Sequence, residues 1–145
     1  MNKKNKKTNT RSSGFTLLEL LVVVAILGII SAIGVVAYSG YQKSAKMKAA
    51  ENIMFQISLA QTEFYSNYMY YHGNASCTPS EGTSRDIEKI FFGGDGSSKT
   101  IITDDMGYNI CVSASSTSFT VTAKNSKNCQ LVLDGKTQGI TRTNC

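Results

Sequence analysis

The chain has 145 residues, with 15 Lys and Arg against 10 Asp and Glu, one His, four Cys and no Trp. This length allows one modest domain of ordinary globular composition, and a single His without clustered ligands disfavours a metal-centred enzyme. The net charge of +5 does not indicate nucleic-acid binding, because residues 1–14 hold five basic residues and no acid, which leaves residues 15–145 balanced.

An apolar run of 23 residues, Phe15–Ala37, follows the basic segment and contains a single charge, Glu19. A helix of about 20 apolar residues crosses a hydrocarbon core. A buried core helix is disfavoured, because the rest of the chain has too little apolar mass to cover it. A secretory signal peptide cut after Ala37 is an alternative, although the apolar part of such a peptide runs only about 7–15 residues. A retained membrane helix fits the length, and the upstream basic residues would keep the N-terminus in the cytoplasm.

The carboxylate of Glu19 is the most informative group in this run. Placing a charge in hydrocarbon costs roughly 2.5–3.5 kcal/mol, so such a residue suggests a function. No Lys, Arg or His lies between Phe15 and Tyr41, so a cationic partner must come from another molecule or from a new amino terminus. Cleavage between Gly14 and Phe15 would create that amine one helical turn from Glu19. The alternative is a glutamate near the membrane edge that snorkels or is protonated.

The sequence GFTLLE at residues 14–19, followed by LLVVVAILGIISAIG, resembles the type III signal and N-terminal helix of type IV pilins and pseudopilins. The resemblance implies that prepilin peptidase cuts between Gly14 and Phe15 and methylates the new Phe15 amine. It also implies that Glu19 neutralises the amine of a neighbouring subunit during filament assembly. The match covers about residues 11–41.

Two features depart from the pattern of the family. The leader of residues 1–14 is longer than is common in the type IVa class. Val36 stands where many pilins carry a helix-kinking proline, so the effect of lacking that proline is open.

The helical pattern continues beyond the apolar run and predicts an amphipathic helix over residues 38–71. Met54, Phe55 and Leu59 are expected to widen its apolar stripe against a sheet. The stripe itself has spacings of three and four and consists of Tyr41, Ala45, Ala49, Ile53, Ile57, Ala60, Phe64, Tyr68 and Tyr71. The tyrosines near its end suggest packing under the head rather than nucleic-acid stacking.

Residues 72–107 are rich in Gly, Ser, Thr and Asn and predict a long connection with one short helix capped by Ser84. Ile87, Ile90 and Phe91 would give that helix an apolar edge. The GGDG sequence at residues 93–96 lacks the lysine and the strand-to-helix context of a phosphate loop, so a turn is expected.

Calcium binding at Asp95, Asp104 and Asp105 is the weaker hypothesis for this loop. Their spacing matches no EF-hand, and solvated turn acids are favoured. No other cofactor is expected.

From Tyr108 the apolar period becomes two, which predicts an antiparallel meander of three or four strands. The alternating residues are Tyr108, Ile110, Val112 and Ala114, then Phe119, Val121 and Ala123, then Cys129, Leu131 and Leu133. The second half of the long helix is the available cover for the apolar face. The fold class is therefore α+β, with an N-terminal helical spine packed on an antiparallel meander, similar to the pilin arrangement.

Four cysteines, Cys77, Cys111, Cys129 and Cys145, all follow the apolar run, which favours disulfides in an oxidising compartment. Of three connectivities, we favour Cys77–Cys111 with Cys129–Cys145. The first would pin the long loop to the opening strand, and the second would tie the last residue to the sheet. The family similarly closes a C-terminal loop by a disulfide.

The sequence thus predicts four segments: a cytoplasmic leader that is removed (1–14), a membrane and filament-core helix (15–37), an amphipathic helix (38–71) and a disulfide-bonded head (72–145). No nucleophile or acid–base arrangement indicates an enzyme.

The resemblance implies a structural subunit of a type IV pilus-like filament that serves adhesion, motility or DNA uptake. It would begin as a single-pass inner-membrane precursor and become part of an extracellular filament. Its partners would be copies of itself or other pilins, prepilin peptidase and the inner-membrane assembly machinery, while a nucleic-acid partner is disfavoured. The alternatives are a minor pilin, a pseudopilin of type II secretion, or a secreted binding domain released after Ala37.

Overall fold

The structure, a computed structural model, describes residues 14–95, 102 and 106–145. The chain divides into two compact units, residues 1–40 and residues 41–145. The elements, in chain order, are α1 (Leu17–Tyr68), α2 (Glu81–Phe91), β1 (Tyr108–Ala114), β2 (Phe119–Asn125), β3 (Gln130–Asp134) and β4 (Ile140–Thr143).

Helix α1 has 52 residues and passes through Val36 as regular α-helix. It ends at Tyr68 rather than near Tyr71, because Met69 adopts a left-handed φ of 64°. A residue in that conformation cannot continue a right-handed helix. The amide of Met69 still donates to the carbonyl of Tyr65 at 2.8 Å, which closes the last turn.

The buried face of α1 in the second unit differs from the predicted stripe. Its buried residues are Ala50, Glu51, Met54, Ile57, Ser58 and Gln61. Ile53, Ala60, Phe64 and Tyr71 are half-buried, whereas Tyr41, Ala45, Ala49 and Tyr68 are exposed.

The side chains expected to widen the stripe divide in the same way. Met54 is fully buried, but Phe55 and Leu59 are 41% and 72% exposed, so they do not face the sheet. The error has a geometric cause: repeated spacings of four advance 400° rather than 360° per step, so the predicted stripe drifts around the helix. The real face follows the mixed spacing of residues 50, 54, 57 and 61.

Helix α2 is capped by Ser80, not by Ser84 as predicted. The Ser80 hydroxyl accepts from the Thr83 amide at 3.2 Å, and the Thr83 hydroxyl accepts from the Ser80 amide at 2.9 Å, forming a reciprocal capping box. Ser84 is instead buried inside the helix, where its hydroxyl accepts from the Ile110 amide at 2.9 Å. This bond attaches α2 to β1.

The strands form one antiparallel sheet in the order β1-β2-β3-β4. The predicted meander is confirmed, and β4 completes it as a fourth strand. Tyr108, Ile110, Val112, Phe119, Val121, Ala123, Leu131 and Leu133 are all buried and share one core with Ala50, Met54 and Ile57 of α1. The second half of the long helix therefore covers the apolar face of the sheet, as the alternation required.

Candidate functional site

The site considered first is the start of α1. The hydroxyl and amide of Thr16 both donate to the Glu19 carboxylate, at 2.9 and 3.0 Å. The Glu19 amide in turn donates to the Thr16 hydroxyl at 3.2 Å. These bonds form a capping box, in which a Thr and a Glu three residues later satisfy free amides of a helix start.

The capping box gives Glu19 a neutral partner, Thr16, that the sequence analysis did not predict. The signal is visible in the sequence, because Thr-x-x-Glu directly before an apolar run is typical of a helix start. The carboxylate also lies in the first turn, where the positive end of the helix dipole favours an anion. A cationic partner for Glu19, and its role in assembly, remain predictions.

The described part of the first unit, residues 14–40, presents an exposed apolar surface. All residues from 14 to 46 are exposed, with Phe15 81% and Leu17 87% exposed. In the described part of the chain, α1 is the one helix long and apolar enough to cross a membrane, with a mean hydropathy of 3.0 in its most apolar window. An apolar surface of this size requires lipid or other protein chains around it.

The predicted processing junction lies immediately before this helix. Gly14 and Phe15 precede α1, and among the described residues no atom beyond the chain neighbours comes within 4 Å of the place a Gly14 side chain would occupy. The junction is thus sterically open. Cleavage there and methylation of Phe15 remain predictions.

Two disulfides secure the second unit. Cys77 bonds to Cys111, and Cys129 bonds to Cys145, the same pairs that the sequence favours. The first joins the loop after α1 to β1, and the second joins the end of the chain to the start of β3. The amine of Lys43 also donates to the carbonyl of Cys145 at 2.6 Å, so the same end reaches α1.

A buried carboxylate on α1 holds β4. Glu51 accepts from Arg142 at 2.6 Å and from Lys48 at 2.9 Å. The Arg142 guanidinium, together with Lys48, holds the pKa of Glu51 below its ordinary value despite the opposing effect of burial. Edge strand β4 is therefore bound to the helix by a charge pair as well as by its ladder with β3.

The loop after α1 is held by a buried amide. Gln61 accepts from the backbone amide of His72 at 2.9 Å and donates to the carbonyl of the same residue. Both polar groups of a fully buried side chain are thereby satisfied. This pair fixes the position where the chain leaves α1 for the loop.

Of the three aspartates considered as calcium ligands, only Asp95 lies among the described residues. Asp95 is exposed, while Asp104 and Asp105 lie outside the described residues. Among the described residues, no group of three or more His, Cys, Asp or Glu side chains is placed to hold a metal ion.

The chain is similar to one protein-family model and to several known proteins. A family model for the prokaryotic N-terminal methylation motif matches residues 9–35. The chain is 39% identical over 66 residues to a fimbrial protein of Neisseria meningitidis serogroup B, which covers 46% of this chain and 39% of that protein.

Two further relatives are type IV major pilins. The chain is 40% identical over 60 residues to PilE1 of Neisseria gonorrhoeae, covering 41% of this chain and 36% of that protein. It is 40% identical over 58 residues to PilA of Myxococcus xanthus, covering 40% of this chain and 26% of that protein. The chain therefore spans about two fifths or less of each relative. No solved structure matches it significantly.

Proposed function

We propose that this chain is a type IV pilin and the structural subunit of a pilus filament, because it carries the N-terminal methylation motif and resembles fimbrial and major pilin proteins over less than half of its length. The observation that carries the proposal is the start of α1, where a methylation motif continues into the exposed apolar run Phe15–Ala37, which holds one acid, Glu19. The minor-pilin and pseudopilin alternatives are not better supported, and the relatives named above include major pilins.

The precursor would sit in the inner membrane through Phe15–Ala37, with the basic leader in the cytoplasm. Prepilin peptidase would cut after Gly14, and the inner-membrane assembly machinery would extract the helix into the filament. There, the helices of neighbouring pilins would cover the apolar surface that lipid had covered. An oxidising environment outside the cytoplasm would maintain the two disulfides of the second unit.

Glu19 would determine the register of the incoming subunit. Leu, Val and Ile side chains pack almost equally well after a one-turn slip, so apolar packing alone specifies register weakly. A carboxylate that pairs with the Phe15 amine of a neighbour would distinguish one register from the others. Such a dry pair contributes more to specificity than to stability.

The test separates the charge of Glu19 from its capping role. Glu19→Gln keeps the acceptor that Thr16 requires but removes the charge, whereas Thr16→Val removes the cap and keeps the charge. Each variant is expressed beside Glu19→Val and the wild type. The processed protein in the membrane is then compared with the protein in sheared filaments.

We expect Glu19→Gln and Glu19→Val to give a processed membrane pool with few or no filaments, and Thr16→Val to assemble. Normal filaments from Glu19→Gln would show that the charge is dispensable. Failure of Thr16→Val beside success of Glu19→Gln would assign Glu19 to helix capping alone.

Processing is tested at Gly14. Gly14→Leu should leave a larger, membrane-retained precursor, because the peptidase must accommodate a small residue at the cut. Mass spectrometry of the exported wild type should find a methylated Phe15 at the N-terminus. A Tyr38 N-terminus would instead identify a secreted domain, and Met1 an uncut membrane protein.

A further inference from the structure

An open groove lies between the last two turns of α1 and the end of α2, and the proposed filament function does not use it. Its volume is about 370 Å³. The residues that line it are Ala60, Glu63, Phe64, Asn67, Tyr68, Ile90 and Phe91.

The aromatic part of the groove is organised around Phe64. The Phe64 ring lies 4.5 Å from the Tyr68 ring at an interplanar angle of 35°, and 6.2 Å from the Phe91 ring at 84°. Tyr68 is packed against Phe64 yet remains 59% exposed. It therefore presents a supported aromatic ring to solvent at the rim of the groove.

The polar part consists of Glu63 and Asn67. They are four residues apart, so both lie on the same side of α1, and both are exposed along the groove. No ion pair engages Glu63 within the described residues. A carboxylate accepts hydrogen bonds, while an amide both donates and accepts. One helical turn thus offers complementary groups for neighbouring hydroxyls.

We propose that this groove binds an uncharged carbohydrate. The C–H face of a sugar ring would pack on Tyr68, whose π face carries partial negative charge. Two hydroxyls would bond to Glu63 and Asn67. This binding function is additional to the filament role and does not depend on it.

Two other ligand classes fit the same groove less well. The Glu63 carboxylate repels anions, which disfavours nucleic acid and acidic sugars. Organic cations such as quaternary ammonium groups are typically held in a cage of several aromatic rings. Here Phe64 is occupied by its contacts with Tyr68, Tyr70, His72 and Phe91, so the groove offers Tyr68 as its principal exposed ring and no such cage.

The experiment uses the purified full chain in a detergent without a sugar headgroup, because a maltoside would compete for the groove. The probes are methyl β-galactopyranoside, methyl α-mannopyranoside and N-acetylglucosamine, followed by saturation-transfer NMR and titration. Tetramethylammonium and N-acetylneuraminate serve as the cationic and anionic probes. We expect at least one neutral sugar to bind with a Kd of about 1 mM and neither charged probe to bind comparably.

Three variants localise the binding. Tyr68→Ala and Glu63→Gln should each weaken binding about tenfold or more. The first removes the ring on which the sugar would pack, and the second removes the charged acceptor for a sugar hydroxyl. Tyr41→Ala removes a tyrosine of similar exposure on the same helix, outside the groove, and should bind as the wild type does. Because Glu63→Gln is nearly isosteric and exposed, its effect does not depend on how well Tyr68→Ala folds.

The proposal is overturned if all three neutral sugars fail to bind at about 50 mM, far above the expected constant. It is also overturned if Tyr68→Ala and Glu63→Gln bind a sugar as the wild type does, because the site is then elsewhere. Comparable or tighter binding of tetramethylammonium or N-acetylneuraminate would replace it with a charged ligand class. None of these outcomes bears on filament assembly.

Discussion

At the scale of single residues, buried polar groups determine where the pieces of the second unit meet. Glu51 joins α1 to β4, and Gln61 joins α1 to the following loop. Ser84 joins α2 to β1. Each is buried beside the apolar core, so leaving any of them without its partner would cost about 1–3 kcal/mol.

Stability should depend on pH through Glu51. Its pKa is held below the ordinary value, mainly by Arg142. The pair therefore contributes fully above the pKa of the unfolded chain and is lost as the pH falls through the lower pKa of the folded chain. At neutral pH, Glu51→Gln should destabilise the full chain by about 1.5 kcal/mol.

The measurement is thermal unfolding of both proteins between roughly pH 3 and pH 7. The difference in unfolding temperature between the wild type and Glu51→Gln should become smaller as the pH falls. Glu63→Gln, at an exposed carboxylate without an ion pair among the described residues, should show little difference at any pH. If the unfolding temperatures of the wild type and Glu51→Gln differed by the same amount at every pH, the charge of Glu51 would not be what stabilises the fold.

At the scale of elements, the loop after α1 depends on one close backbone approach. Gly73 has a φ of +145°, and a side chain there would lie 2.7 Å from the Val112 carbonyl oxygen. The adjacent Asn74 carbonyl accepts from the Ala114 amide at 2.8 Å. The loop is thus bonded along the edge of β1, and only glycine permits this contact without strain.

Gly73→Ala should therefore destabilise the second unit by about 2–3 kcal/mol. Gly82→Ala is the matched control, because that glycine lies in the first turn of α2, with its nearest contact 3.8 Å away. The control should be neutral or slightly stabilising. Thermal unfolding of both full-length variants checks the prediction, and equal midpoints would contradict the tight approach.

At the scale of the whole molecule, the two units depend on different forces. The first exposes an apolar helix that requires lipid or other subunits, whereas the second has its own core and two disulfides. Substitutions in the second unit should therefore leave membrane insertion of the first unit intact.

The disulfides provide the test. Cys145→Ser opens a link across a sequence separation of 16, and Cys77→Ser one across 34. The chain-entropy relation predicts losses of about 3 and 4 kcal/mol. Both variants should remain in the membrane fraction at wild-type levels while unfolding at lower temperature. Loss of either variant from the membrane would show that the units are not independent, and peptide mapping that joined Cys77 to Cys145 would contradict the pairing.

Features that repeat or lie close together along the chain were predictable from the amino-acid sequence alone. The run from Phe15 to Ala37 predicted the exposed apolar helix, and the period of two from Tyr108 predicted the meander and its buried face. The even number of cysteines after the apolar run predicted two bridges. The Thr16 and Glu19 cap could also have been found, because its partners lie three residues apart.

Features that depend on contacts between distant residues could be known only from the folded structure. It set the buried face of α1 and left Phe55 and Leu59 exposed, because the sheet covers only the face that carries Met54 and Ile57. It buried Ser84 as a partner for Ile110 and left Ser80 to cap α2. It also placed Phe91 beside Phe64 and formed the groove between their helices. No local pattern records these relations, since each depends on how separate elements pack rather than on spacing along the chain.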